Sequence, residues 1–124
     1  MAKITKDQYQ AAYKMAVDIY EKKNNLSDKE AAKILHEEKG INISSAEIFI
    51  KVYKNLRDGL VFKRTLSKES TEYFLNGIYK DHGVDALKAA LKAIKLHIDY
   101  WEEKYGSQKL YMRTIIKRFG EMIN

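Results

Sequence analysis

Three histidines, a repeated Glu-Glu-Lys and two groups of basic residues are where this 124-residue sequence has the residue types for chemistry. A metal site needs ligands at set spacings, and His36, His82 and His97 show none. "HEEKG" at His36–Gly40 is not the His-Glu-x-x-His pattern of a zinc hydrolase. "EEK" occurs at Glu37–Lys39 and again at Glu102–Lys104. A glutamate and lysine so spaced can assist phosphodiester hydrolysis when a strand aligns them, but both copies fall at predicted helix ends. The chain has no Cys, hence no disulfide and no thiolate ligand, and it lacks a Gly-rich phosphate loop and a nucleophile elbow. The sequence therefore predicts no catalytic residue, no metal and no cofactor.

Binding is better supported. The net charge is +6 with a pI near 9.3, which suits phosphate backbones or acidic proteins. The excess is concentrated. Lys51, Lys54, Arg57, Lys63 and Arg64 face only Asp58 within residues 48–66, with Tyr53 and Phe62 interleaved. "FKRT", read as a loop, offers Arg64 and Thr65 to a phosphate through guanidinium, hydroxyl and backbone donors. Near the C-terminus Lys109, Arg113 and Lys117 recur every four residues with Arg118 beside them. If the two groups meet in the fold they make one basic surface for a phosphate backbone; otherwise they are solvated polar faces. The nine Tyr residues suit base stacking or a protein interface, or simply half-buried rings with wet hydroxyls.

The elements that must position these residues are all helical. Apolar residues make up 45% and charged residues 32% of the chain, a balance that folds rather than one that stays disordered. At this length one domain, residues 1–124, is expected. There is no Pro, and the breaks fall at Gly and at Ser or Thr caps. Thr5 with Gln8 opens a first helix, and Ser27 with Glu30 a second that stops at Gly40. Ser44 with Glu47 opens a third that ends at Gly59, and Ser67 caps a fourth. "GLVFKRTL" is too short and irregular for a helix and reads as an extended connection.

The fifth helix carries two stripes. Leu87, Leu91, Ile94, Ile98, Trp101 and Tyr105 form a heptad seam; Ala86, Ala90, Ala93, His97 and Tyr100 lie beside it. It is expected to be long and central, with His97 a satisfied core residue. Ser107 is expected to cap a sixth helix that buries Leu110, Ile115, Ile116, Phe119 and Met122. The fold class is an all-α, compact bundle of about six helices with a helix-turn-helix-like segment.

That segment is "EEKGINISSAEIFI". Gly40 opens the turn, Ile41 follows, Ser44 and Ser45 cap, and Ala46 and Phe49 point inward. Upstream, His36 stands where a tight turn wants a small residue, so a lengthened turn is expected. The third helix would show solvent only Glu47, Lys51, Lys54, Asn55 and Asp58, few of them base-reading types. A capped core helix is the plainer reading, with Asn42 and Ser45 the residues nearest to any base.

The series "EAAKIL", "GINISSA", "RTLSKESTEYFL" and "IYKDHGVDALKAALKAIKLHIDYWE" resembles a small helical module of bacterial and phage restriction-like proteins that stands ahead of an HNH nuclease domain. The resemblance covers roughly residues 26–118. It implies target recognition or assembly, and it singles out Asn42, Ser45, Arg64 and Thr65 as motif residues at turns. No HNH segment follows Phe119, so it implies no nuclease activity. Two functions lead, with a small self-associating scaffold as a third possibility. One is a non-catalytic DNA-binding module in which Lys51, Lys54, Lys63, Arg64, Lys109, Arg113, Lys117 and Arg118 hold phosphates. The other is a phage-encoded inhibitor of a bacterial defence system, binding a nucleic-acid-handling protein complex as a homodimer. "MAKITKDQYQ" lacks the apolar core of a secretory signal, and no apolar run is long enough to span a membrane. A cytoplasmic protein with no membrane partner is expected.

Overall fold

A computed structural model describes residues 3–123. They form six α-helices: α1 Lys6–Tyr20, α2 Asp28–Lys39, α3 Ile43–Asp58, α4 Lys68–His82, α5 Val84–Tyr105 and α6 Leu110–Met122. No strand occurs among the described residues. The fold is an all-α helical bundle. The chain divides into two compact units, Met1–Lys54 and Asn55–Asn124, and the division falls inside α3.

In the first unit α1 and α2 each begin with a reciprocal capping box, Thr5 with Gln8 and Ser27 with Glu30. Gln8 does more than cap: its side-chain amide donates to the Lys39 carbonyl, one of the orphan acceptors at the end of α2. Asp7 pairs with the Lys39 ammonium at 3.3 Å. The core holds Ala12, Tyr13 and Ala16 of α1, Ala31, Ala32 and Leu35 of α2, and Ala46, Phe49, Ile50 and Tyr53 of α3. Tyr53 is fully buried and meets Tyr13 and Tyr20 edge-on, with centroids 5.6 and 5.8 Å away. Edge-to-face pairs of this kind add about 0.5–1.5 kcal/mol each beyond burial. Tyr53 thus belongs to the core, not to an interleaved basic surface.

The second unit packs α4 and α6 against α5, and α4 also touches α6. Only Gly83, at φ +87°, separates α4 from α5. Ala90, Ala93 and Ile94 of α5 are fully buried, as are Phe74, Leu75 and Ile78 of α4 and Met112 and Phe119 of α6. The heptad seam is buried at Leu87, Ile94 and Ile98, half-buried at Leu91 and Trp101, and exposed at Tyr105. The last turn of α5 therefore projects from the core. The face of α6 is rotated from the one expected: Leu110 and Met122 are exposed, and Met112 lies inside instead.

Two helix starts differ from the sequence reading. Ser44 is not the cap of α3. Asn42 is, because its Oδ1 accepts from the Ser44 and Ser45 backbone N–H at 2.9 and 3.3 Å, while its carbonyl takes the Ala46 N–H. Ser107 does not cap α6 either. Glu102, reaching across from α5, accepts the Lys109 N–H at 2.8 Å and does that work.

Candidate nucleic-acid interface

The turn between α2 and α3 is tight: Gly40, Ile41 and Asn42, with no added length. Gly40 takes the left-handed conformation at φ +70°, and Ile41 is buried beneath the turn. His36, expected to force a longer turn, instead bonds through Nδ1 to the Ile41 carbonyl at 2.9 Å. Its ring closes over the turn while staying exposed. The segment is two helices, α2 and α3, joined by a three-residue turn. Asn42, Ser44 and Ser45 are exposed at the start of α3, with the Asn42 oxygen already committed to the cap. Further along α3, Lys51 is exposed without an ion-pair partner among the described residues, whereas Lys54 binds Asp28 at 2.6 Å.

The remaining proposed contacts belong to the second unit, and a buried histidine organises them. His97 is fully buried on α5. Its Nδ1 lies 2.6 Å from the Phe62 carbonyl, which can only accept, so Nδ1 carries the proton. Nε2 is then the acceptor for the Thr65 hydroxyl at 3.1 Å. The Phe62 ring stacks on the imidazole, 4.3 Å between centroids and 9° from parallel. Burial pushes the His97 pKa down, outweighing the Phe62 hydrogen bond that opposes it, and the Lys109 charge pushes the same way. The ring is held neutral. A second tie comes from α6, where Tyr111 donates to the Leu66 carbonyl at 3.2 Å.

The consequence is geometric. Residues 60–67 form the extended connection expected of "GLVFKRTL", and it is fastened inward at Phe62, Thr65 and Leu66. Lys63 and Arg64 lie between the first two fastenings and are exposed. Neither forms an ion pair among the described residues. The Lys63 ammonium sits 5.6 Å from the Tyr100 ring. Lys104 approaches the same ring at 5.7 Å and donates to its hydroxyl at 3.2 Å. Two ammonium groups thus share one aromatic ring, and neither has a carboxylate partner. Thr65, expected on a phosphate, has its hydroxyl engaged by His97; Phe62 is core rather than interleaved surface.

The C-terminal basic group divides. Arg113 lies in a fork on Glu102, with Nε 2.8 Å from Oε2 and the terminal nitrogen on Oε1. Those hydrogen bonds, with the Lys109 N–H, hold the Glu102 carboxyl at a pKa of about 2. Arg118 pairs with Glu72 of α4. Lys109 is buried, its ammonium 4.0 Å from the Trp101 ring and 5.5 Å from that of Tyr111, and desolvation lowers its pKa. Lys117 alone of the four is exposed without an ion pair among the described residues. Three of these cations hold the helices together, and the sequence reading missed Tyr100 and Lys104. The proximity of "HIDYWEEKY" to "FKRT" follows from His97, which no local periodicity announces.

Among the described residues no group of three or more His, Asp or Glu is placed to hold a metal ion. No helix among them is long and apolar enough to cross a membrane. No protein-family model, curated protein or solved structure matches the chain.

Proposed function

We propose that the chain is a non-catalytic nucleic-acid-binding module of the cytoplasm, and that the Lys63–Arg64 loop with Lys104 is its phosphate contact. The observation that carries this reading is the double fastening of the loop on neutral His97. Ordering a free loop on binding would cost side-chain and backbone entropy, and here that cost is met in folding. Two cations are held in solvent with no acid to neutralise them, the arrangement a phosphate backbone rewards through counterion release. Within the second unit Lys117 would add a weaker contact; in the first unit, taken by itself, Lys51 is an exposed cation, and Asn42 and Ser45, exposed at the start of α3, are the candidates for reaching a base edge.

Fluorescence-anisotropy titration against random-sequence duplex and single-stranded DNA at two salt concentrations tests the reading. Micromolar or tighter binding that weakens steeply with salt is expected. Absence of binding at low salt would defeat it.

Leu60 and Val61 are 55% and 43% exposed on the same loop, and Leu110 is 66% exposed. These apolar side chains favour a second reading: a phage-encoded inhibitor that docks, as a homodimer, on a nucleic-acid-handling complex of a bacterial defence system. Association with such a complex that survives moderate salt would select it over the first.

A further inference from the structure

Around the Lys63–Arg64 loop, cations and aromatic rings form one continuous path within the second unit, alternating from Lys63 to Tyr105. The Lys63 ammonium lies 5.6 Å from the Tyr100 ring, and Lys104 lies 5.7 Å from Tyr100 and 5.5 Å from Tyr105. Tyr105 then contacts Trp101 at 5.0 Å between centroids, inclined by 46°. Lys109 completes the path, 4.0 Å from Trp101 and 5.5 Å from Tyr111. The inner half of this ladder is structural: Lys109 is buried, and Trp101 and Tyr111 are half-buried. The outer half is open. Tyr105 is 57% exposed in the last turn of α5, Lys63 and Lys104 are exposed beside Tyr100, and Arg64, next to Lys63 in the loop, is exposed as well.

We propose that this ladder binds single-stranded nucleic acid, with Tyr105 stacking on an unpaired base while Lys63, Arg64 and Lys104 hold the flanking phosphates. The proposal rests on the nucleic-acid reading above and narrows it to one substrate class. A single strand alternates planar bases with phosphate charges, and alternating rings and ammonium groups complement both. In a duplex the base faces are stacked on one another, so the open Tyr105 ring would have nothing to receive. Charge supports the phosphate contacts. Glu102 on this turn is engaged by Arg113 and the α6 backbone, and Lys104 has no ion-pair partner among the described residues. Asp99 and Glu103 are exposed on this part of α5 and neither forms an ion pair with Lys104 among the described residues.

The sole tryptophan, Trp101, gives a direct signal because it touches Tyr105. An oligothymidylate and an abasic strand of equal length are titrated at one salt concentration, reading Trp101 fluorescence and anisotropy together, with a duplex for comparison. The thymidylate is expected to perturb Trp101 emission and to bind about tenfold tighter than the abasic strand, as one stacked base provides. Tyr105→Ala should remove that advantage and leave abasic binding unchanged, while Tyr105→Phe should keep it. Equal binding of thymidylate and abasic strands would overturn stacking yet leave phosphate binding standing. Duplex binding as tight as thymidylate would overturn the single-strand preference. If none of the three binds, the nucleic-acid reading falls with it.

Discussion

At the scale of single residues, His97 decides what the loop can do. Its apolar neighbours on α5 made a satisfied core histidine legible, and that is what the structure contains. Its partners were not legible, because Phe62 and Thr65 are more than thirty residues away in sequence. Removing the ring should cost about 2–4 kcal/mol, from the cavity and from the Phe62 carbonyl left unsatisfied. His97→Ala in a denaturant titration should therefore show a clearly lower midpoint. It should also weaken nucleic-acid binding, because Lys63 and Arg64 lose their fixed positions. The pH dependence has a definite sign. Above about pH 6.5 the imidazole is neutral in folded and unfolded chains alike. As pH falls below that value, the unfolded chain takes up a proton that the folded state resists, so stability should fall. His97→Asn should flatten this part of a pH–stability profile.

Helix ends mark how far local spacing reaches. Thr5, Ser27 and Ser67 cap where the Ser/Thr spacing places them, because a cap and its N–H partner lie three residues apart. Asn42 was overlooked because "ISSAEI" also satisfies a capping box, and only the backbone path decides between the two starts. Asn42→Ala should cost about 1 kcal/mol, whereas Ser44→Ala should stay within about 0.5 kcal/mol; chemical denaturation of each variant compares them. The start of α6 is less local still, since Glu102 and Arg113 are eleven residues apart and on different helices. The four-residue recurrence of Lys109, Arg113 and Lys117 therefore misled: Lys109 precedes the helix and turns inward, and Arg113 is drawn onto Glu102. The Glu102 carboxyl, near 4.5 when unperturbed, lies at about 2 in the fold. Its contribution to stability is present in full above about pH 4.5 and is lost as pH falls towards 2, a window below that of His97. Glu102→Gln should reduce acid sensitivity in the lower window, where Glu30, lowered by its hydrogen bonds to Ser27, still contributes, and leave the upper one intact.

For the whole molecule, an excess of positive charge was visible in composition, and the count of helices followed from caps and periodicity. Which cations remain available was not visible, since it depends on where acids fold to meet them. Asp28 takes Lys54, Glu72 takes Arg118 and Glu102 takes Arg113, leaving the loop pair, Lys104, Lys51 and Lys117 as the exposed cations discussed. A basic pI alone would predict binding by any lysine; the structure predicts that charges differ in value according to their commitments. Lys117→Ala should change affinity for single-stranded DNA less than Arg64→Ala, although both remove one exposed positive charge, and parallel anisotropy titrations would rank them. The most direct test is the salt dependence of that affinity for the wild-type chain and for Lys63→Ala/Arg64→Ala. The account predicts that log K falls linearly with log salt, and that the double variant has a slope shallower by about 1.4, from two lost single-strand phosphate contacts. An unchanged slope, with binding intact, would show that the fastened loop is not where the phosphates sit.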